Sequence, residues 1–314
     1  MTPVSEGQGT GVRDLLLGVA ARLGSATEAR WVVDEALGSS SGAIAKARTG
    51  AVATAGEVAR VEEMVERRLA GEPLQYVLGN WQFRTLDLAV DPRVLIPRPE
   101  TEVVVGHALD ELERLSEETE DSDEDPILVV ELGTGSGAIA LSIAVEGREH
   151  AGGRPLRIWA TEADGGSLEV ARANKRAVVE SHPWVEPVEF VEGSWFDPLP
   201  ESLQGRVGLI VANPPYISEK EWGSLDPVVR DFEPRQALVS GPLGTEAVDY
   251  ILENAPRWLG PHGALVVEIA PHQADDAGLR AIVSGFDAVI VRRDFADRSR
   301  ALVARLASPF SLEQ

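Results

Sequence analysis

Apolar residues recur at helical spacing through the first 70 positions and turn to strand-like runs beyond residue 127. Leu15, Leu16, Val19 and Leu23 share one helix face, and Trp31, Val32, Glu35 and Ala36 repeat the spacing less cleanly. Val58, Val61, Met64, Val65 and Leu69 make the apolar stripe of a helix over residues 57–69. Thr54-Ala55-Gly56-Glu57 before it has the form of a capping box. One apolar face per helix predicts a small bundle. Leu86, Leu88 and Val90 then alternate with Asp87 and Ala89, which predicts a strand, and Gly79-Asn80 supplies the turn chemistry of a hairpin. Leu95-Ile96-Pro97-Arg98-Pro99-Glu100-Thr101-Glu102 is stiffened by its prolines and opens a helix running through His107 and Leu112. Residues 111–125 are dominated by Asp and Glu and read as a solvated linker rather than a docking tail.

From Ile127 the pattern is strand, glycine turn, helix, repeated. Strands are predicted at Ile127–Leu132, 157–161, 188–191, Val207–Ala212, 264–269, 288–292 and 301–306, with helices at 138–145, after 161, at 245–259 and at Ala274–Val283. Ile127–Leu132 is apolar apart from Glu131, as expected of a strand covered on both faces. Strands alternating with helices imply an α/β fold with a doubly wound, mostly parallel, seven-stranded Rossmann-like sheet. The expected organisation is a helical bundle at 1–78, a β-hairpin connector at 79–97 and the sheet domain at 98–314.

Chemistry gathers at the carboxyl ends of these strands, where open α/β sheets bind ligands. Glu131-Leu132-Gly133-Thr134-Gly135-Ser136-Gly137-Ala138 stands where the first strand meets a helix. Its glycines allow a tight turn and close backbone approach, and the helix beyond offers free N–H groups. Gly133-x-Gly135-x-x-Ala138 also satisfies a loose dinucleotide fingerprint. Glu162, ending the second strand, suits ribose hydroxyls in either kind of site, or else caps the next helix. Ser194 and Trp195, after the third strand, offer a polar edge and an apolar face to adenine; Trp195 also suits core packing.

Asn213-Pro214-Pro215-Tyr216 follows the fourth strand about 80 residues after the glycine turn. Two successive prolines bring no N–H groups, so the strand stops and leaves an Asn side chain, backbone carbonyls and an aromatic ring at its end. Two acceptors beside a flat ring suit a planar group bearing –NH2, such as an amide or a nucleobase amine. No histidine sits where a hydride-handling acid or base is expected. The pair of elements therefore points to methyl transfer.

The 314 residues accommodate one large and one smaller domain, and 44% hydrophobic residues suffice for an ordinary core. A net charge of −22 argues against a general phosphate-binding surface. The chain has no cysteine, which excludes disulfides, thiolate zinc sites and a Cys nucleophile, and its five histidines lack ligand spacing, so no metal is expected. Neither a signal peptide nor a spanning segment is expected, which fits a cytoplasmic protein.

The chain resembles the bacterial peptide chain release factor glutamine methyltransferases. The resemblance rests on Glu72-Pro73-Leu74-Gln75-Tyr76-Val77-Leu78-Gly79, on the segment from Leu95 to Thr101-Glu102, on Glu131 to Ala140 and on Val211 to Ile217. Arg230-Asp231-Phe232-Glu233-Pro234, Ala237-Leu238 and residues 294–300 also look like that family. Three positions depart from it: Ser194 and Glu162 stand where Asp is more usual, and Asp297 where Gly is frequent. The resemblance implies that Gly133, Thr134, Gly135, Ser136 and Gly137 cradle S-adenosylmethionine, that Glu162 holds its ribose, and that Ser194 and Trp195 meet its adenine, with Asn213 also near. It implies that Asn213, Pro214, Pro215 and Tyr216 bind the glutamine of a Gly-Gly-Gln tripeptide, with Asn213, Pro214 and Tyr216 catalytic. The helices and hairpin would contact the release factor, and the enzyme would act as a monomer without nucleic acid or membrane.

An amide nitrogen is a poor nucleophile, and no ordinary side chain can deprotonate it beforehand. Positioning at roughly 3 Å is therefore expected to replace a general base. The Asn213 oxygen and the Pro214 carbonyl would accept the two amide hydrogens, more strongly as charge develops on nitrogen. A glutamine methyltransferase for a ribosomal protein and an adenine or cytosine amino-methyltransferase use compatible acceptors and remain as alternatives, as does a non-catalytic scaffold.

Overall fold

The computed structural model describes residues 10–38, 42–118, 125–185 and 187–307. These form two compact units, one ending at Asn80 and including Pro227–Phe232, the other holding Trp81–Asp226 and the chain from Glu233 onward.

The first unit has helices at Val12–Leu23, Ala26–Ala36, Ala43–Arg48, Ala55–Leu69 and Leu74–Leu78. Its core gathers Leu15, Val19, Val32, Val33, Val61, Met64 and Val65, so the helical stripes do face one another. The capping box forms: Glu57 N donates to Thr54 Oγ1 at 3.2 Å, and Thr54 N to Glu57 Oε2 at 2.6 Å. The Gly79-Asn80 turn does not. Gly79, at φ 80°, ends helix Leu74–Leu78 as its left-handed cap. The hairpin instead reverses after Phe83, between strands Asn80–Phe83 and Leu86–Ala89, with Arg84 at φ 51°. Glu102 accepts the Arg84 N–H at 3.0 Å and Glu146 pairs with its guanidinium at 2.6 Å, so distant acids fix the corner.

The second unit is built on one seven-stranded sheet: β1 Ile127–Leu132, β2 Leu156–Glu162, β3 Val188–Glu192, β4 Val207–Ala212, β5 Leu259–Glu268, β6 Ala288–Arg293 and β7 Ser299–Arg305. Their order is β6-β7-β5-β4-β1-β2-β3, with β7 antiparallel to both neighbours and the remaining pairs parallel. Alternate residues feed two cores. Val129, Ile158, Leu209 and Val266 pack on one side with helices Pro99–Glu118 and Ala138–His150, while Val130, Trp159, Ile210 and Leu265 pack on the other with Glu246–Trp258 and Ala274–Val283. Burial on both faces explains why β1 reads as an apolar run broken only by Glu131.

The acidic stretch corrects one expectation. Residues up to Glu118 continue helix Pro99–Glu118, where Glu111, Leu112 and Leu115 are buried. Burial alone raises the pKa of Glu111, but hydrogen bonds from Arg305 and Arg114 outweigh it and hold the carboxyl below its ordinary value. Residues 119–124 of the expected linker lie outside the described residues. Asp297 adopts φ 59° in the turn between β6 and β7, a left-handed conformation that glycine takes without strain.

Candidate active site

Sheet register brings the functional turns together. Leu132, ending β1, lies opposite Thr161 of β2 and Ala212 of β4, and Ala212 opposite Val267 of β5. Glu162 lies opposite Glu192 of β3. Gly133, Glu162, Gly193 and Asn213, each at a strand end or one residue past it, therefore share one edge of the sheet. They line a cavity of about 280 Å³. Every residue the sequence assigned to the methyl donor lines it except Gly137.

On the donor side, Gly133 and Gly135 adopt φ 75° and 54°, which turns the chain tightly at the cavity wall. A Cβ on Gly133 would stand 3.6 Å from the Trp195 ring, an ordinary contact, so the positive φ rather than crowding favours glycine there. Gly137 serves packing: it caps helix Ala138–His150 at φ 85°, and a Cβ there would press on Leu141 and Phe190 at 3.2 Å. Beneath the turn, buried Glu131 accepts from the Thr134 hydroxyl and, at 3.0 Å, from Ala140 N, both on Oε2. Burial pushes its pKa up to about 8. Glu162 accepts Gly135 N at 2.9 Å and Asp164 N at 3.0 Å, so its carboxylate closes the turn across the cavity mouth. The helix cap is Asp164, which accepts Ser167 N at 2.7 Å, so the capping alternative for Glu162 does not hold. Trp195 stands at φ 46°, a strained conformation for so bulky a residue and one that recurs at ligand sites.

On the acceptor side, Asn213 and Pro215 line the cavity, whereas buried Pro214 and half-buried Tyr216 do not. Asn213 Nδ2 donates to Thr101 Oγ1 at 3.1 Å, and that hydroxyl donates to Glu268 Oε2 at 2.7 Å. Burial, then the charge of Glu268, pushes the Tyr216 phenol up to about 12, so it stays protonated. Gln273 Nε2 donates to the Tyr216 carbonyl at 3.2 Å and to that of Gly244 at 3.0 Å, fixing the corner from below. Pro97 and Arg98 complete the wall, with Arg98 paired to buried Glu233, which also accepts Ile96 N at 3.2 Å.

Thr101, Glu233, Glu268 and Gln273 are site residues to which the sequence pattern assigns no role. One signal was present for Glu268: a lone carboxylate closing the apolar run Ala264-Leu265-Val266-Val267.

The donor set suits a nucleoside carrying an amino acid. A carboxylate suits a diol, an aromatic ring suits a base, and a glycine turn suits a close backbone contact. Among the described residues no cluster of acids and histidines could hold a metal ion, and no helix is long and apolar enough to cross a membrane. The sheet, with a single antiparallel strand beside its edge, and this donor side fit the class of S-adenosylmethionine-dependent methyltransferases.

Comparison with known proteins narrows the class. Residues 15–79 match the family described as PrmC N-terminal domain. The release factor glutamine methyltransferase of Nitratidesulfovibrio vulgaris is 39% identical over 245 residues, 77% of this chain and 76% of that protein. That of Bifidobacterium longum is 37% identical over 255 residues, 80% and 82% of the two chains. A methyltransferase structure from Pyrococcus furiosus aligns over 81% of this chain and 100% of its own, at 18% identity and TM-score 0.47. The chain belongs to the release factor glutamine methyltransferase family.

Proposed function

We propose that this enzyme methylates the side-chain amide nitrogen of the glutamine in the Gly-Gly-Gln tripeptide of peptide chain release factors, and so supports translation termination. S-adenosylmethionine supplies an electrophilic methyl on its sulfonium when bound. The observation that carries the reading is the state of Asn213, which lines the same cavity as Glu162 and the glycine turn: one N–H of its NH2 is donated to Thr101, which turns Nδ2 to that hydroxyl and leaves Oδ1 to accept.

In this reading Asn213 Oδ1 and the Pro214 carbonyl accept the two hydrogens of the substrate amide. Both bonds strengthen as positive charge grows on that nitrogen, which lowers the barrier selectively in the transition state. Pro215 stiffens the corner, and Tyr216, protonated and tied through its carbonyl to Gln273, backs it. No general base is needed, because an N-alkylated amide cation sheds its proton readily. Gly133, Thr134, Gly135 and Ser136 would hold the amino-acid end of the donor, Glu162 the ribose, and Ser194 and Trp195 the adenine. The helices of residues 1–78 and the hairpin of 79–97 would bind the release factor, with chemistry left to 98–314. We further propose a cytoplasmic monomer that touches no nucleic acid directly.

The test is transfer of labelled methyl to release factors, ribosomal proteins and DNA in parallel, with mass spectrometry locating the label. Label on the tripeptide glutamine is expected. Label on a ribosomal protein or DNA, with none on release factors, overturns the assignment.

A further inference from the structure

Thr101 is poorly placed to orient an amide by itself, because a hydroxyl both donates and accepts and so tolerates either end of a carboxamide. Its other partner removes that ambiguity. An ionised carboxylate only accepts, so with Glu268 charged the Thr101 hydrogen is committed to Oε2 at 2.7 Å. The hydroxyl then has only lone pairs to offer Asn213, which must present Nδ2, as it does at 3.1 Å. Thr101 and Glu268 are both buried, so an unpaired group at either position is costly.

We propose that Glu268 is a positioning residue for methyl transfer, acting through Thr101 to fix which end of the Asn213 carboxamide faces the cavity. The proposal rests on the role given to Asn213 above.

The groups facing Glu268 come from every element around it. Thr101 and Glu100 lie on helix Pro99–Glu118, Tyr216 on the corner after β4, and Arg300 on β7, where its guanidinium stands 3.7 Å from Glu268 and 3.5 Å from Asp294. Burial pushes Glu268 up to about 7, against the lowering effects of Thr101, Arg300 and Tyr216. The carboxylate thus changes charge near neutrality. Once protonated it can itself donate, and the direction of the chain to Asn213 is no longer unique.

Three variants test this in the full-length enzyme: Thr101→Val, Thr101→Ser and Glu268→Gln. Thr101→Val keeps the shape and removes both hydrogen bonds, so kcat should fall about tenfold or more, the effect of loosening one aimed acceptor. Its S-adenosylmethionine affinity by calorimetry should stay within about twofold, below the weight of one hydrogen bond. Thr101→Ser, which restores the hydroxyl, should recover most of the rate. Glu268→Gln can present either an oxygen or an NH2 to Thr101, so kcat should fall and the acidic limb of the wild-type kcat profile near pH 7 should vanish. Thermal stability should also fall less steeply between about pH 4.5 and 7 than in the wild type, because the raised Glu268 carboxyl no longer ionises there. Equal kcat for Thr101→Val and Thr101→Ser overturns the proposal, even if Glu268→Gln does not fold. An unchanged pH profile in a folded Glu268→Gln overturns it too. Assaying Asn213→Ala alongside separates the two ideas: if that variant is impaired while these are not, only the positioning role falls, and if it is fully active the reading of Asn213 falls.

Discussion

The two halves of the cavity are built differently. On the donor side the supporting bonds are short in sequence: Glu131 reaches Thr134 three residues on, and Glu162 reaches Asp164 two residues on and Gly135 across 27. On the acceptor side a single carboxamide depends on Thr101, 112 positions away, which in turn depends on Glu268, 167 positions from it. A turn held by local bonds and glycine geometry tolerates loss of one contact. A buried polar chain does not, because removing one member takes a hydrogen bond from the next where burial makes the loss costly. Damage on the donor side should therefore appear mainly in affinity, and damage on the acceptor side mainly in turnover.

The largest expected effect lies on the acceptor side. Asn213→Ala should lower kcat about 100-fold or more, as loss of one aimed hydrogen bond does elsewhere. Its affinity for S-adenosylmethionine should change far less, and calorimetry beside steady-state kinetics reads both. A variant with normal kcat and lost donor affinity would reverse the contrast between the halves. Glu162→Ala is the matching change on the donor side. Donor affinity should weaken roughly tenfold to a hundredfold, the weight of hydrogen bonds to a charged group. Turnover at saturating donor should survive. An intact Kd would mean that the carboxylate serves only to close the turn through Gly135 N.

The same contrast sets what the sequence reveals. β1 and β4 read directly because strands buried on both faces are near-continuous apolar runs, and the donor turn reads because glycines cluster where positive φ is needed. Asn213 reads because two prolines must stop a strand. Thr101 and Glu268 do not read, since their partnership is created by the packing of helix Pro99–Glu118 on the sheet and no local spacing encodes it. The Gly79 misplacement has the opposite cause: glycine suits a helix cap as well as a hairpin, and the acids that fix the turn at Arg84 lie at positions 102 and 146. The acidic stretch misleads because Glu111 looks solvated until Arg305, from the far end of the chain, meets it.

A smaller effect sharpens the comparison through stability alone. Buried Glu131 has a folded-state pKa near 8, well above its ordinary 4.5, with burial as the main cause. A carboxyl raised in this way favours folding while protonated. Its contribution is complete below about pH 4.5 and is lost as pH rises through about 8. Glu131→Gln cannot ionise, and because Thr134 and Ala140 both donate to Oε2, a single amide oxygen in its place can keep both bonds. Wild type and variant should therefore melt together near pH 5, and the variant should melt higher by several degrees at pH 9, at roughly 2–4 °C per kcal/mol for a domain of this size. The net charge of the acidic chain and the titration of Glu268 act on both proteins and largely cancel in the difference. Thermal melts without donor across pH 5 to 9 make the measurement. Parallel curves would mean that Glu131 is charged throughout, and that the donor turn rests on a buried anion rather than a neutral acid.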